Sequence, residues 1–402
     1  MIRQLTLFGI PFLGGLIIAR MLHWHAGSND QLLTLWLLLV IAPPLIFHAT
    51  RNVNTQSRGN SAPAFSLRRL MNKSVALCTA LILIFAAAMA GTLLDLAPAG
   101  IFLDGLLPVF PLLLVLAPIY ARFFERVTDT TEDSYSRLGA RLLGRDKSSW
   151  REHKQLLLSF SLKAFFIPLM YGWLHMAAAS LLSMDAPTLS NWTLWLFNLG
   201  LCIDLLIGAS GYLFVSKLFG TEMRSVDDHW LGWTSCLVCY PPLFNYLRIA
   251  TEQVDTYVWT DWLDAGNPLY WLWAALIVSS WVIYWLSTVA FGFRFSNLSY
   301  RGLVAVGPYR WCKHPAYLAK NIYWWIYTVP FFGELSAPDM TRNVLGLTLL
   351  SSIYYLRAKT EERHLSKFPE YRAYAQRIRE RSLATRLRYW MALPARREQN
   401  LQ

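Results

Sequence analysis

Long apolar runs alternate with short polar connections along most of the chain. A helix needs about 20 mostly apolar residues to cross the hydrocarbon of a bilayer. About ten runs approach that length: residues 5–22, 31–49, 74–94, 101–121, 160–183, 192–215, 230–249, 268–292, 316–333 and 341–356. Most are too long for buried strands, and many hold Gly or Pro, which membrane helices tolerate. The pattern predicts an all-α fold, a polytopic transmembrane helix bundle of about ten spans with a C-terminal cytoplasmic amphipathic helical tail. The first run follows Arg3, lacks a small-x-small pattern near Ala19 and leads straight into Arg20, His23 and His25. It reads as an uncleaved span rather than a signal peptide.

Charge orients these runs. The chain is 55% hydrophobic and 15% charged, against roughly 25% charged in soluble domains. Arg51, Arg58, Arg68, Arg69 and Lys73 fill the second connection, 122–154 is mostly basic, and Arg294, Arg301, Arg310 and Lys313 precede the ninth run. The intervening connections are acidic: Asp95 and Asp104; Asp185; Glu252, Asp255, Asp261 and Asp264; Glu334 and Asp339. Basic loops face the cytoplasm, so both termini are expected there, in a multi-pass protein of the plasma membrane or a bacterial inner membrane. The net charge of +12 is accounted for by topology and lipid headgroups, and no nucleic-acid partner is implied. Cys78, Cys202, Cys236 and Cys239 fall within apolar runs, and Cys236-x-x-Cys239 lacks a second pair to complete a metal site. No metal is expected.

Residues 1–265 read as an N-terminal transmembrane bundle that selects substrate, and 266–402 as a region of different character. There an aromatic run (Tyr270, Trp271, Trp273, Trp281, Tyr284, Trp285) leads to a polar turn, two apolar runs and a basic tail, Arg357 to Arg388, which Pro369 splits into two helical pieces. Tyr371, Tyr374 and Ile378 mark one apolar face of the second piece.

Ionisable groups cluster in this region. Pro315 suits the first position of a helix, where its missing N–H costs nothing, leaving His314 at the cap. The free N–H groups of that turn favour anions, and Arg310 and Lys313 add charge beside them. An ordinary juxtamembrane cap explains the same residues. Glu361 and Glu362 follow Arg357 by one turn; they suit a solvated helix turn, or they accept hydrogen bonds from hydroxyl or amino groups and favour a sulfonium. Asp227-Asp228-His229 opens the seventh run on the same predicted face, as an acidic cap or as a general base. Asp204 lies mid-run, where a carboxylate either bonds a neighbouring helix or serves function.

Taken together, Gly307-Pro308-Tyr309-Arg310-x-x-Lys313-His314-Pro315-x-Tyr317, an apolar hairpin, Arg357-x-x-x-Glu361-Glu362 and Phe368-x-Glu370-Tyr371-x-x-Tyr374 resemble the isoprenylcysteine carboxyl methyltransferase family over about residues 285–385. The resemblance implies a membrane methyltransferase that moves a methyl group from S-adenosylmethionine to a lipophilic or membrane-associated acceptor at the cytoplasmic face. It implies a cofactor pocket lined by Tyr309, Lys313, His314, Tyr317, Arg357, Glu361 and Glu362. Arg310, His229 and Asp228 are the catalytic candidates. Lys313 stands where the family usually has Arg, which keeps the charge and loses the bidentate fork. Ala319 replaces the small glycine common in the family after the Tyr-Leu, and Lys320-Asn321 follow. Two other classes compete: an NADPH-dependent membrane reductase of the sterol reductase type, whose His-Pro turn continues with Asn where this chain has Ala316, and a non-catalytic transporter or scaffold.

Overall fold

The computed structural model describes residues 2–21, 40–44, 46–47, 50, 65–128, 133–333 and 335–381. Most of the second apolar run, the polar stretch 52–64, Arg51, Arg58, Glu334 and the tail beyond 381 lie outside the described residues. Among the described residues the fold is helical apart from one pair of two-residue strands, and it divides into two compact units.

One unit comprises Ile2–Asp228 and Phe291–Arg301. It holds α1 (Ile2–Met21), α2 (Leu67–Leu93), α3 (Ala97–Leu106), α4 (Phe110–Thr128), α5 (Ser134–Leu142), α6 (Lys154–Ser183), α7 (Trp192–Leu213) and the antiparallel strands β1 (Ser225–Val226) and β2 (Ser299–Tyr300). Helix α2 starts earlier than its apolar run because Ser66 caps it, accepting from the Arg69 N–H. Arg69 and Lys73 are therefore helical rather than part of a loop. They converge on the fully buried Glu125, at 2.8 and 3.1 Å, and Lys73 also reaches Asp133 at 3.2 Å. A buried carboxylate is tolerated only with such partners. Gly139 lets α5 press onto α2, since a Cβ there would stand 1.7 Å from the Asn72 carbonyl oxygen. Buried Arg301 is satisfied by backbone, its Nη1 donating to the carbonyls of Gly211 at 2.6 Å and Phe295 at 3.0 Å and its Nε to Thr221 at 2.8 Å.

The other unit comprises His229–Ala290 and the chain from Gly302 onward. Its helices are α8 (Trp230–Leu237), α9 (Leu243–Thr251), the single turn α10 (Trp259–Trp262), α11 (Pro268–Phe291), α12 (Pro315–Thr328), α13 (Ala337–Leu365) and α14 (Pro369–Arg381). The buried residues of α13 include Asn343, Leu347, Leu350, Tyr354, Arg357, Thr360 and His364, recurring every three or four positions, the spacing of one helix face. Leu347, Leu350 and Tyr354 pack with Tyr317, Trp324, Trp325 and Cys239. Interhelical hydrogen bonds in membrane proteins add about 0.6 kcal/mol each. Three of these tie the helices: Trp273 Nε1 to the Ile326 carbonyl (2.7 Å), Trp325 Nε1 to Ser351 Oγ (3.1 Å), and Ser235 Oγ with Thr360 Oγ1 (3.1 Å).

Among the described residues four helical segments are long and apolar enough to cross a membrane: Leu67–Leu93, Trp150–Ser183, Trp192–Leu213 and Pro268–Arg294. A fifth is added if Ala97–Leu106 and Phe110–Arg126, bent by 68°, count as one. The remaining apolar runs depart from single long helices for local reasons. Pro108 and Pro111 break the fourth run and Pro241-Pro242 the seventh, because proline lacks the N–H that continues a helix. The ninth run forms only the 14 residues of α12, which ends at the buried Val329 in left-handed conformation, φ 36°. The tenth extends into a 29-residue helix that carries Arg357, Glu361 and Glu362 within it. Only the piece beyond Pro369 is a separate tail helix.

Candidate S-adenosylmethionine site

Pro315 opens α12, and His314 stands at its cap without making a side-chain capping bond. The imidazole is thereby free to turn toward α13. Its Nε2 lies 3.1 Å from Glu362 Oε1 and its Nδ1 3.6 Å from Glu361 Oε2. Lys313 Nζ contacts the same Glu362 oxygen, and Lys359 Nζ stands 3.8 Å from the other. Successive residues of a helix point about 100° apart, so one imidazole spanning two consecutive glutamates fixes both carboxylates relative to the α12 cap.

Burial alone would lower the His314 pKa. Its contacts with Glu361 and Glu362 outweigh that and hold it at about 9. The contact with His314 lowers Glu362 most; partial burial opposes it, Lys313 reinforces it, and the carboxyl settles at about 2. Glu361 is pulled up by burial but ends below its ordinary value through His314, Arg357 and Tyr317. With 41% of its side chain exposed, water screens part of that interaction. At neutral pH a protonated His314 therefore stands with Lys313 and Lys359 around the two carboxylates.

An aromatic stack continues inward. The rings of His314 and Tyr317 lie 5.8 Å apart and nearly parallel, and Tyr317 and Tyr354 follow at 6.1 Å. The buried Arg357 guanidinium faces Tyr317 at 5.2 Å and Tyr240 at 5.8 Å, with Nη2 3.8 Å from Cys236 Sγ. Cation–π contacts of this kind contribute up to about 2 kcal/mol when desolvated.

The structure thus gathers Lys313, His314, Tyr317, Arg357, Glu361 and Glu362. Tyr309 joins through its main chain: Tyr374 Oη donates to the carbonyls of Tyr309 (2.8 Å) and Cys312 (3.3 Å). Burial pushes the Tyr309 phenol well above its ordinary pKa. Of the catalytic candidates, Arg310 is exposed. His229 caps α8, its Nδ1 accepting from the Leu231 N–H at 3.1 Å. Asp228, in the other unit, pairs with Lys154 at 3.2 Å. Sequence reasoning missed Tyr240, Tyr354 and Cys236. Tyr354 was within reach, since it lies one turn before Arg357 on the same α13 face; Tyr240 and Cys236 become neighbours only through the packing of α8.

Helices apolar enough to cross a bilayer mark an integral-membrane protein, and the cluster of opposed charges at the cap of a helical hairpin is its candidate ligand site. Residues 269–367, about a quarter of the chain, match the model of the Isoprenylcysteine carboxyl methyltransferase (ICMT) family, and the match supports assigning the chain to it. Its members are methyltransferases whose methyl donor is S-adenosylmethionine, and the chain is a methyltransferase on that ground. No curated protein and no solved structure matched the chain.

Proposed function

We propose that this protein takes a methyl group from S-adenosylmethionine bound at the His314 cluster and passes it to a lipophilic or membrane-associated acceptor at the cytoplasmic face. The observation that carries this reading is the joining of His314 to both Glu361 and Glu362 beside the Arg357–Tyr317 stack. The chemistry of the set suits the donor. Carboxylates accept from ribose hydroxyls and an amino group and favour a sulfonium, while Lys313 and the open turn of α12 favour a carboxylate. Tyr317, Tyr354 and Arg357 offer flat surfaces to a heteroaromatic ring.

When bound, S-adenosylmethionine supplies a methyl group on a positively charged sulfur, open to in-line displacement. The protein's part is to hold and align, which is worth about 7–11 kcal/mol when reactants are well placed. With its pKa at about 9, His314 is a cation at neutral pH and does not serve as a general base. A carboxylate acceptor needs no base, whereas an amine or thiol would pass its proton to Asp228 or His229. Arg310, His229 and Asp228 are proposed as acceptor-side groups, and the region 1–265 as the part that selects the acceptor. The crossing count of about ten, with both termini in the cytosol, is proposed from the alternation of basic and acidic connections.

Calorimetric titration of the detergent-solubilised protein tests the site. S-adenosylmethionine binds the wild type, and His314→Ala and Glu362→Ala weaken binding at least tenfold while the helical circular dichroism is kept. Undiminished binding in both variants would overturn the assignment. A thermal shift with NADPH and none with S-adenosylmethionine would replace it by the reductase reading.

A further inference from the structure

We propose that the hydroxyl of Tyr371 is a ligand-binding group that donates a hydrogen bond to a ribose oxygen of S-adenosylmethionine. The proposal rests on the donor site above and adds a residue from a different helix.

Tyr371 is 5% exposed, and its Oη is buried without a hydrogen bond to any described residue. A buried hydroxyl left in that state costs free energy that folding alone does not recover. Native interiors rarely keep such an atom without a ligand, water or function to explain it.

Its position supplies the explanation. Tyr371 lies in the first turn of α14, its N–H bonded to the Phe368 carbonyl at 3.2 Å. One turn on, Tyr374 packs against it at 5.8 Å between rings and pins α14 to the carbonyls of Tyr309 and Cys312. Phe368, just before α14, packs against His364 of α13. Tyr371 is thus anchored on one side to the turn that delivers Lys313 and His314, and on the other to the helix end that carries Glu361 and Glu362. Burial first, then the charges of Glu361 and Glu362, push its phenol pKa up, so the O–H stays protonated and lies within their electrostatic reach.

The charged groups of the cluster already satisfy one another, whereas the Tyr371 O–H has hydrogen-bonding capacity to spare. A ribose hydroxyl fits such a setting: its proton goes to a carboxylate and its oxygen accepts from the phenol. A ligand carboxylate at the same place would meet the like charges of Glu361 and Glu362.

The test is calorimetry with S-adenosylhomocysteine and its 2′-deoxy and 3′-deoxy analogues on wild type and Tyr371→Phe, with the melting temperature of each ligand-free protein. Tyr371→Phe is expected to weaken S-adenosylhomocysteine by about five- to tenfold. It leaves unchanged the affinity for the one deoxy analogue that already binds the wild type poorly. The ligand-free melting temperature holds or rises. Equal affinity in wild type and Tyr371→Phe overturns the proposal and leaves the donor site standing. A lowered ligand-free melting temperature makes the hydroxyl structural and overturns it too, and equal losses on all three ligands overturn the ribose assignment. A wild type that binds none of them overturns the donor site and this proposal together.

Discussion

His314 sets the pH behaviour of the site. Its folded-state pKa is raised from 6.5 to about 9, so its contribution to stability is complete below 6.5 and is lost as pH rises through 9. Glu362 is lowered from 4.5 to about 2; its contribution is complete above 4.5 and is lost as pH falls through 2. The two shifts describe one shared contact and are not additive. The ligand-free protein is therefore expected to be most heat-stable near pH 5–6 with respect to this cluster and to weaken towards pH 9. In His314→Gln the alkaline decline attributable to the cluster disappears, which a series of thermal melts across pH will read. Glu362→Gln removes charge-assisted bonds and is expected to cost about 1.5–3 kcal/mol, visible as a lower melting temperature at pH 6. At this scale the motif was readable: residue type and spacing singled out Lys313, His314, Glu361 and Glu362. What spacing does not carry is the direction of each side chain: Arg310 is exposed and His229 caps α8.

Helices turn those residues into a site. The paired hydrogen bonds of Tyr374 hold α14 against the 309–312 turn. Tyr374→Phe is expected to release that contact at a cost of about 1–3 kcal/mol, and limited trypsin digestion will show it as faster cleavage at Arg372, Arg377 and Arg379. Gly139→Ala places a methyl where the Asn72 carbonyl stands; overpacking of this kind costs about 1–3 kcal/mol or more, and a melting temperature equal to wild type would show that α2 and α5 separate easily. The apolar runs announced most helices but not their ends. The start of α2 depends on Ser66 and on burial of Arg69 and Lys73 against Glu125, a partner 56 positions from Arg69. The continuation of α13 through Arg357 depends on Tyr317 and Tyr240 covering a charge that hydropathy counts as a stop.

For the molecule as a whole, the alternation of charge makes a prediction about sidedness. Single cysteines at Arg310 and Asp264, in a background freed of the five native cysteines, are expected to react with a membrane-impermeant maleimide from opposite sides, Arg310→Cys from the cytosol. Labelling of both from one side would remove the proposed orientation. The brevity of α12 has its own consequence. Fourteen residues rise only about 21 Å, against about 30 Å of hydrocarbon, and the left-handed Val329 stops the helix from growing. Were α12 to cross, as the proposed ten-span reading has it, the bilayer would thin around it, at fractions of a kcal/mol per Å of mismatch. Turnover in vesicles should then fall as acyl chains lengthen, with the donor affinity unchanged. The local pinch would draw the headgroup layer inward beside the site, so an amphiphilic acceptor would be delivered by membrane deformation as well as by lateral diffusion.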